Sequence, residues 1–179
     1  MVALSPLFDR DAMISKSHLL DSMLHECTVA QHLHSKLTPA SFDYRPSPDQ
    51  RSTTELLQYL SVIGIAGSTC MAEHSWKLFA PFSERAKAMA AGDFIEAMDR
   101  QKAELIAFFD GVTDQRLTED APLPGGTKQP LAVALMNGPL KWLTAYKLQL
   151  FLYAKASGVD AIGTSNAWRG VDMAPKPAP

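Results

Sequence analysis

Apolar residues recur at helical spacing in four stretches of this chain. In the first, about 17–37, they lie three or four residues apart and so share one helix face: Leu19, Met23, Cys27, Ala30, Leu33 and Leu37. Prolines at 39, 46 and 48 oppose any continuation of this pattern. We therefore predict a first helix over 17–37 and an extended connection over 38–51.

A capping signature marks the start of the second helix. Ser52 is followed three residues later by Glu55, a pair that satisfies free N–H groups where a helix begins. The apolar run 56–78 follows, and its middle is rich in small residues: Gly64, Ala66, Gly67 and Ser68. Because glycine weakens an isolated helix, we predict that this helix packs closely against a neighbour and is the most buried of the four.

The third helix follows a short connection that contains Pro81 and Gly92. Asp93 can cap a helix over 93–109, and residues 83–90 are predicted to form a short helical turn before it. The next stretch, 113–129, is polar and rich in proline and glycine, without the alternation of a strand. We predict a long ordered loop there.

The fourth helix is predicted over 130–156, with Pro139 kinking or splitting it. Four long helices and no strand signal predict an all-α protein, a four-helix bundle. The bundle should span 15–158. An N-terminal arm over 1–14 should precede it, and a tail over 159–179 should pack partly on it.

Composition and net charge limit the classes of partner that the protein is expected to bind. Of the 179 residues, 46% are hydrophobic and 20% charged, and the net charge of −2 gives no basic surface for a nucleic acid or an anionic membrane. A small-molecule ligand or a second copy of the chain, as a homodimer, is the expected partner. The two cysteines, Cys27 and Cys70, match no metal or redox spacing and are expected to be buried thiols of a cytoplasmic protein.

Two sequence segments resemble a known family. The stretch from Arg45 to Leu60, RPSPDQRSTTELLQYL, resembles the loop and second-helix start of the DinB-like (DinB/YfiT-like) four-helix bundles. The segment YKLQL from Tyr146, with Tyr153 and Lys155 after it, is similar to the last helix of that family. Together with the order of the helices, the resemblance covers most of 15–158.

The resemblance implies a metal site that this chain has lost. Many members of the family bind a divalent metal through one histidine of the second helix and two histidines, four residues apart, of the last helix. The activity that the resemblance implies is metal-dependent hydrolysis or thiol transfer. The aligned positions here are Tyr59, Trp142 and Tyr146. Tryptophan offers no lone pair, and tyrosine would have to lose a proton of pKa about 10, so we predict no metal, no cofactor and no catalytic residue at these positions.

Three functions follow as hypotheses. In the first, the protein is a metal-free small-molecule-binding or accessory module, whose aromatic pocket is formed by Tyr59, Trp142, Tyr146 and Gln149. The alternative for the last three, which share one face of the last helix, is that they only pack in the core. In the second, a hydrolase or thiol transferase keeps its metal through relocated ligands: His34, His74 and Glu73. The third is a purely structural dimerisation domain.

A stripe of histidines runs along the first helix. His18, His25 and His32 recur every seven residues, roughly opposite the apolar face, so the stripe is predicted to meet solvent. Adjacent members would lie two helical turns apart, which is too far for both to chelate one ion.

Overall fold

The computed structural model describes residues 15–122 and 125–173; the predicted N-terminal arm (1–14) and the end of the tail lie outside this part of the chain. Helices dominate the described residues, and four of them are long. In chain order, the α-helices of the described residues are α1 (Lys16–His34), α2 (Thr53–Ala72), α3 (Phe79–Lys87), α4 (Phe94–Gly111), α5 (Asp114–Thr118), α6 (Leu131–Leu135), α7 (Lys141–Ala156) and α8 (Thr164–Arg169); the long ones are α1, α2, α4 and α7. The predicted all-α class is confirmed. Within the same residues, no helix is long and apolar enough to cross a membrane.

The start of α2 follows the predicted capping box, and its end differs from the prediction. The Ser52 hydroxyl accepts from the Glu55 backbone N–H at 3.2 Å, and the Glu55 carboxylate accepts from the Ser52 N–H at 2.7 Å. The helix ends at Ala72 rather than at residue 78, because His74 has a φ of 54° and so turns the chain out of the helix.

The predicted loop 113–129 contains regular structure. Besides α5, it includes most of an antiparallel ribbon of β1 (Asp120–Pro122) and β2 (Lys128–Pro130). Gly125 and Gly126, with φ of 97° and 87°, lie between the strands in a conformation that glycine adopts readily. The predicted long ordered loop thus contains a short helix and a ribbon that were not predicted, although so small a ribbon leaves the fold class unchanged.

Pro139 splits the last long helix, as predicted. Residues Met136–Leu140 form a π-helical turn between α6 and α7. Proline lacks an N–H to donate and its ring crowds the preceding turn, so a widened turn accommodates it and α7 begins directly after that turn.

The second helix is the most buried of the described helices, as predicted. It has more buried residues than any other described helix and contacts α3, α4 and α7. Inside the core, the amide of Gln101 from α4 bonds the α2 backbone: its Oε1 accepts from Gly64 N–H at 2.8 Å and its Nε2 donates to Leu60 carbonyl oxygen at 2.9 Å. A regular helix would join those two backbone groups to each other. An α4 side chain therefore bridges the turn at Gly64.

Close packing against α7 explains a second glycine of α2. A Cβ placed on Gly67 would lie 2.7 Å from Cζ3 of Trp142 and 3.1 Å from Cγ of Pro139. Both neighbours are rigid rings, so a methyl group cannot be accommodated by a simple side-chain rotation. The small residues predicted to allow close packing do so at this position.

We expect Gly67→Ala to lower the free energy of unfolding. Overpacking typically costs about 1–3 kcal/mol, and the gain in helix propensity offsets about 1 kcal/mol of it, which leaves a net loss of up to about 2 kcal/mol. Urea denaturation measures the change. Gly111→Ala is the matched control, because a Cβ there meets nothing within 4 Å and should give a small gain. Equal effects of the two variants would contradict this account of Gly67.

A buried ion pair joins α1 to α7. Lys147 is only 1% exposed, and its Nζ lies 2.8 Å from Oε2 of Glu26, although neither atom is in hydrogen-bond geometry. The indole of Trp168 in α8 covers the ammonium group, with Nζ 4.5 Å from the ring centroid. This cluster therefore connects three helices.

Helix α8 also packs along the histidine stripe of α1. His25 Nε2 lies 2.9 Å from the carbonyl oxygen of Trp168, and His32 Nε2 lies 2.9 Å from Nδ2 of Asn166. His18 is exposed. The prediction that the whole stripe meets solvent was wrong for His32, which is half-buried, because α8 covers that part of α1.

Candidate functional site

A cleft of about 600 Å³ opens between α2, α3 and the loop that precedes α2. The loop and the start of α2 contribute polar and charged groups, and α2 and α3 contribute a wall that is largely apolar. The lining residues are Arg45, Asp49, Gln50, Arg51, Glu55, Gln58, Tyr59, Val62, Phe79, Ser83, Ala86 and Lys87. The cleft thus combines apolar surface with several charges.

Local hydrogen bonds hold the loop against α2. The N–H groups of Thr53 and Thr54 donate to the carbonyl oxygens of Tyr44 (2.9 Å) and Phe42 (3.1 Å). Arg45 Nη2 donates to Glu55 Oε2 at 2.8 Å. Hydrogen bonds from Arg45 and from the Ser52 backbone hold the pKa of Glu55 below its usual range, so this carboxylate is charged at neutral pH. The capping box therefore also anchors the rim of the cleft.

Tyr59 and Tyr146 are in contact, and Arg51 covers them. The two rings meet edge to face, with centroids 4.9 Å apart, and Cζ of Arg51 lies 4.2 Å from the Tyr59 centroid and 5.7 Å from that of Tyr146. Burial, and then the neighbouring Tyr146, raise the pKa of Tyr59 to about 12. Tyr59 is accordingly a neutral phenol at physiological pH, a poor ligand for a divalent metal.

Trp142 lies against a different part of α2. It packs on Gly67 and on Trp76, whose ring centroid is 6.2 Å from its own. Gly67 is eight residues beyond Tyr59, about 12 Å along the helix. The structure therefore brings Tyr59 and Tyr146 together, with Trp142 further along the same α2–α7 interface.

Gln149 has partners of its own. Its side-chain amide donates to the hydroxyl of Tyr153, and the Tyr153 ring packs edge to face on Tyr44 at 5.3 Å. Of the four residues predicted to bind a ligand, Tyr59 lines the cleft; Trp142, Tyr146 and Gln149 do not. A ligand-binding role for those three stays a prediction.

The predicted relocated metal ligands lie apart. His34 Nε2 lies 2.9 Å from the carbonyl oxygen of Ala91 and its ring packs near Phe42, beside the start of α2. His74, next to Glu73, lies past the end of α2, where its Nε2 is 3.1 Å from Nη2 of Arg116. A helix of this length separates the two histidines by about 30 Å. Within the described part of the chain, no three His, Cys, Asp or Glu side chains are grouped to hold a metal ion.

Neither cysteine supplies a reactive thiol to the cleft. Both are buried, and desolvation raises the pKa of Cys27 to about 12 and that of Cys70 above its ordinary value. Both side chains have an exposed fraction of 0%. They are core residues, as expected from the sequence.

Sequence reasoning did not identify Arg51, Phe79 or Lys87 as site residues. For Arg51, the only sequence feature that could have indicated a place in the site is that it directly precedes the capping box. Phe79 and Lys87 belong to α3, and only the tertiary packing of α3 on α2 brings them to the cleft.

The four long helices form a helical bundle, and a solved structure shares its fold. The solved structure of a DinB-like protein, YjoA from Bacillus subtilis, matches with a TM-score of 0.63 at 17% sequence identity, covering 78% of this chain and 92% of that one. No family model matches the chain, and no curated protein matches it. The chain has the DinB-like fold, which confirms the predicted resemblance at the level of fold.

Proposed function

We propose that this protein is a metal-independent small-molecule-binding module built on the DinB-like fold. The observation that carries the proposal is that Tyr59, at one of the three family metal positions, lines a cleft of about 600 Å³. That volume lies within the range of small-molecule sites, and a mixture of apolar wall and a few polar groups is typical of them.

The donor groups at the three family positions support a metal-independent role. Two phenols and an indole replace three imidazoles, and the phenol of Tyr59 is held neutral by burial. An indole offers no lone pair, and a phenol that keeps its proton is a weak ligand for a divalent metal, so these positions do not form a metal-binding donor set like three imidazoles. In their place the aromatic rings provide stacking surface, which suits an organic ligand.

Metal content tests the metal-independent part of the proposal. Protein purified without chelators or an affinity metal should contain far less than one divalent ion per chain by elemental analysis, even after incubation with zinc and desalting. A stoichiometric ion would contradict it, because a bound divalent metal requires a ligand set that the three aromatic positions do not offer.

Ligand binding is tested by a thermal-shift screen with a fragment library. We expect hits that stabilise the protein and lose their effect in Ser83→Trp, where an indole would fill part of the cleft. Ser22→Trp, on the exposed side of α1, is the matched control and should keep the hits. No hits, or hits that survive Ser83→Trp, would count against binding in this cleft.

We also propose that the protein is a homodimer in the cytoplasm. Two unpaired, buried cysteines suit a reducing compartment. Large apolar side chains that stay exposed at the end of the described chain supply surface for pairing: Trp168, Val171 and Met173. Light scattering should give twice the chain mass of 19.6 kDa. The chain mass itself at micromolar concentration would exclude a stable dimer.

A further inference from the structure

We propose that the cleft selects small organic acids carrying a single negative charge, whose carboxylate pairs with Arg51 and whose apolar body lies against Phe79. The inference rests on the binding function proposed above and adds the class of ligand. Four observations support it: the pairing of the cleft's cations, the way Arg51 is held, the apolar wall, and the acids at the rim.

The three cations of the cleft differ in their partners. Arg45 pairs with Glu55 at 2.8 Å, and Lys87 pairs with Glu84 at 2.9 Å. Arg51 has no carboxylate within 4.0 Å among the described residues. The positive charge of Arg51 is thus the one that a ligand can neutralise.

Stacking prepares Arg51 to bind a planar anion. Its guanidinium lies over the Tyr59 ring at 4.2 Å and near the Tyr146 ring at 5.7 Å, and no hydrogen bond joins its N–H groups to a described residue. Contact between ring faces and a guanidinium leaves the N–H edges available, and two of them match the two oxygens of a carboxylate. Because the tyrosines already restrict the side chain, less conformational entropy is lost on binding.

The wall beside Arg51 suits an apolar body. Phe79 lies 6.3 Å from Tyr59 between ring centroids, and Val62 and Ala86 are the buried aliphatic groups of the same lining. A ligand with a charged end and an aromatic or aliphatic body would cover this surface and pair with Arg51 at the same time.

The acids of the lining limit the charge of the ligand. Glu55 is paired with Arg45, but Asp49 has no cation within 4.0 Å among the described residues. An anion at Arg51 therefore experiences one attractive charge and one nearby repulsive charge. A monoanion fits this balance better than a phosphate dianion, because the single unpaired cation compensates only one charge and the second charge would lose hydration beside Asp49 without a partner.

Calorimetric titration with three probes of the same ring system tests the inference: 2-naphthoate, neutral 2-naphthamide and 2-naphthyl phosphate. We expect naphthoate to bind about tenfold tighter than naphthamide, which corresponds to about 1.4 kcal/mol, and also tighter than the phosphate. Arg51→Gln should bring naphthoate and naphthamide to similar affinities. Asp49→Asn should tighten naphthoate binding, since it removes the repulsive charge.

Arg100→Gln, which lies outside this cleft on α4, is the control and should leave all three affinities unchanged. Equal binding of naphthoate and naphthamide that is lost in Ser83→Trp would overturn the acid selectivity while leaving the binding function intact. Tighter binding of the phosphate, or naphthoate selectivity that survives Arg51→Gln, would also overturn it. Absence of binding by all three probes refutes the inference, and the fragment screen then decides the binding function separately.

Discussion

Lys147→Met should lower the free energy of unfolding by about 3 kcal/mol, the lower end of the range for breaking a buried ion pair. The substitution keeps the length of the side chain but removes the charge that faces Glu26, whose side chain is only 14% exposed. The carboxylate is then left largely buried without a counter-charge. Because Glu26 keeps some contact with water, the full cost of a completely buried charge is not expected.

A double-mutant cycle separates this electrostatic effect from lost packing. Glu26→Leu combined with Lys147→Met should recover to within about 1 kcal/mol of the wild type, since replacing a buried pair by apolar groups is often neutral or stabilising. Urea denaturation monitored by circular dichroism gives all the values. If the double variant is as unstable as Lys147→Met alone, the loss comes from packing of the lysine stem and Trp168, and the ion-pair explanation is wrong.

Helix starts and breaks were predictable because their causes are local. Ser52 and Glu55 bond each other within one turn, and Pro139 disturbs only the helix that contains it. Gly125 and Gly126 also carried a local signal for a hairpin turn, but the strands beside them are too short to show alternation. Predictions of helix starts and breaks therefore need no knowledge of the tertiary structure.

Surface predictions failed where another segment packs on the surface. The periodicity of α1 correctly places His25 and His32 away from the main core, yet α8, far along the chain, covers that face. Periodicity within one helix contains no information on such a contact. Lys147 is a similar case: its position on α7 was known, but its burial depends on α1 and α8.

The candidate site was predictable only in part for the same reason. Tyr146 and Trp142 share one face of α7, as their spacing of four residues requires. Two contacts between the helices, Tyr59 with Tyr146 and Gly67 with Trp142, show that α2 and α7 run antiparallel. The two α7 aromatics therefore meet different turns of α2. Neither of them lines the cleft, because the cleft forms where α3 packs on α2, and the sequence pattern does not specify the position of α3.

Gln101→Met should lower the free energy of unfolding by about 2–4 kcal/mol. Gln101 is fully buried, and its amide serves both the N–H of Gly64 and the carbonyl oxygen of Leu60. Each buried backbone group left without a partner costs about 1–3 kcal/mol. Methionine fills a similar volume without replacing either hydrogen bond, so the loss reports on the polar contacts rather than on a cavity.

Hydrogen exchange gives a test of Gln101 that a general loss of packing would not mimic. In Gln101→Met, the amide protons of Gly64 and Ile65, both of which donate to Oε1 in the wild type, should exchange faster relative to those of other core residues of α2. Gln115→Met, at an exposed position of α5, is the matched control and should change neither stability nor exchange at these sites. If the backbone hydrogen bond between Gly64 and Leu60 is sufficient by itself, exchange at Gly64 will stay slow and the stability loss will be small. That result would show that the Gln101 amide is dispensable to α2, contrary to the role assigned to it.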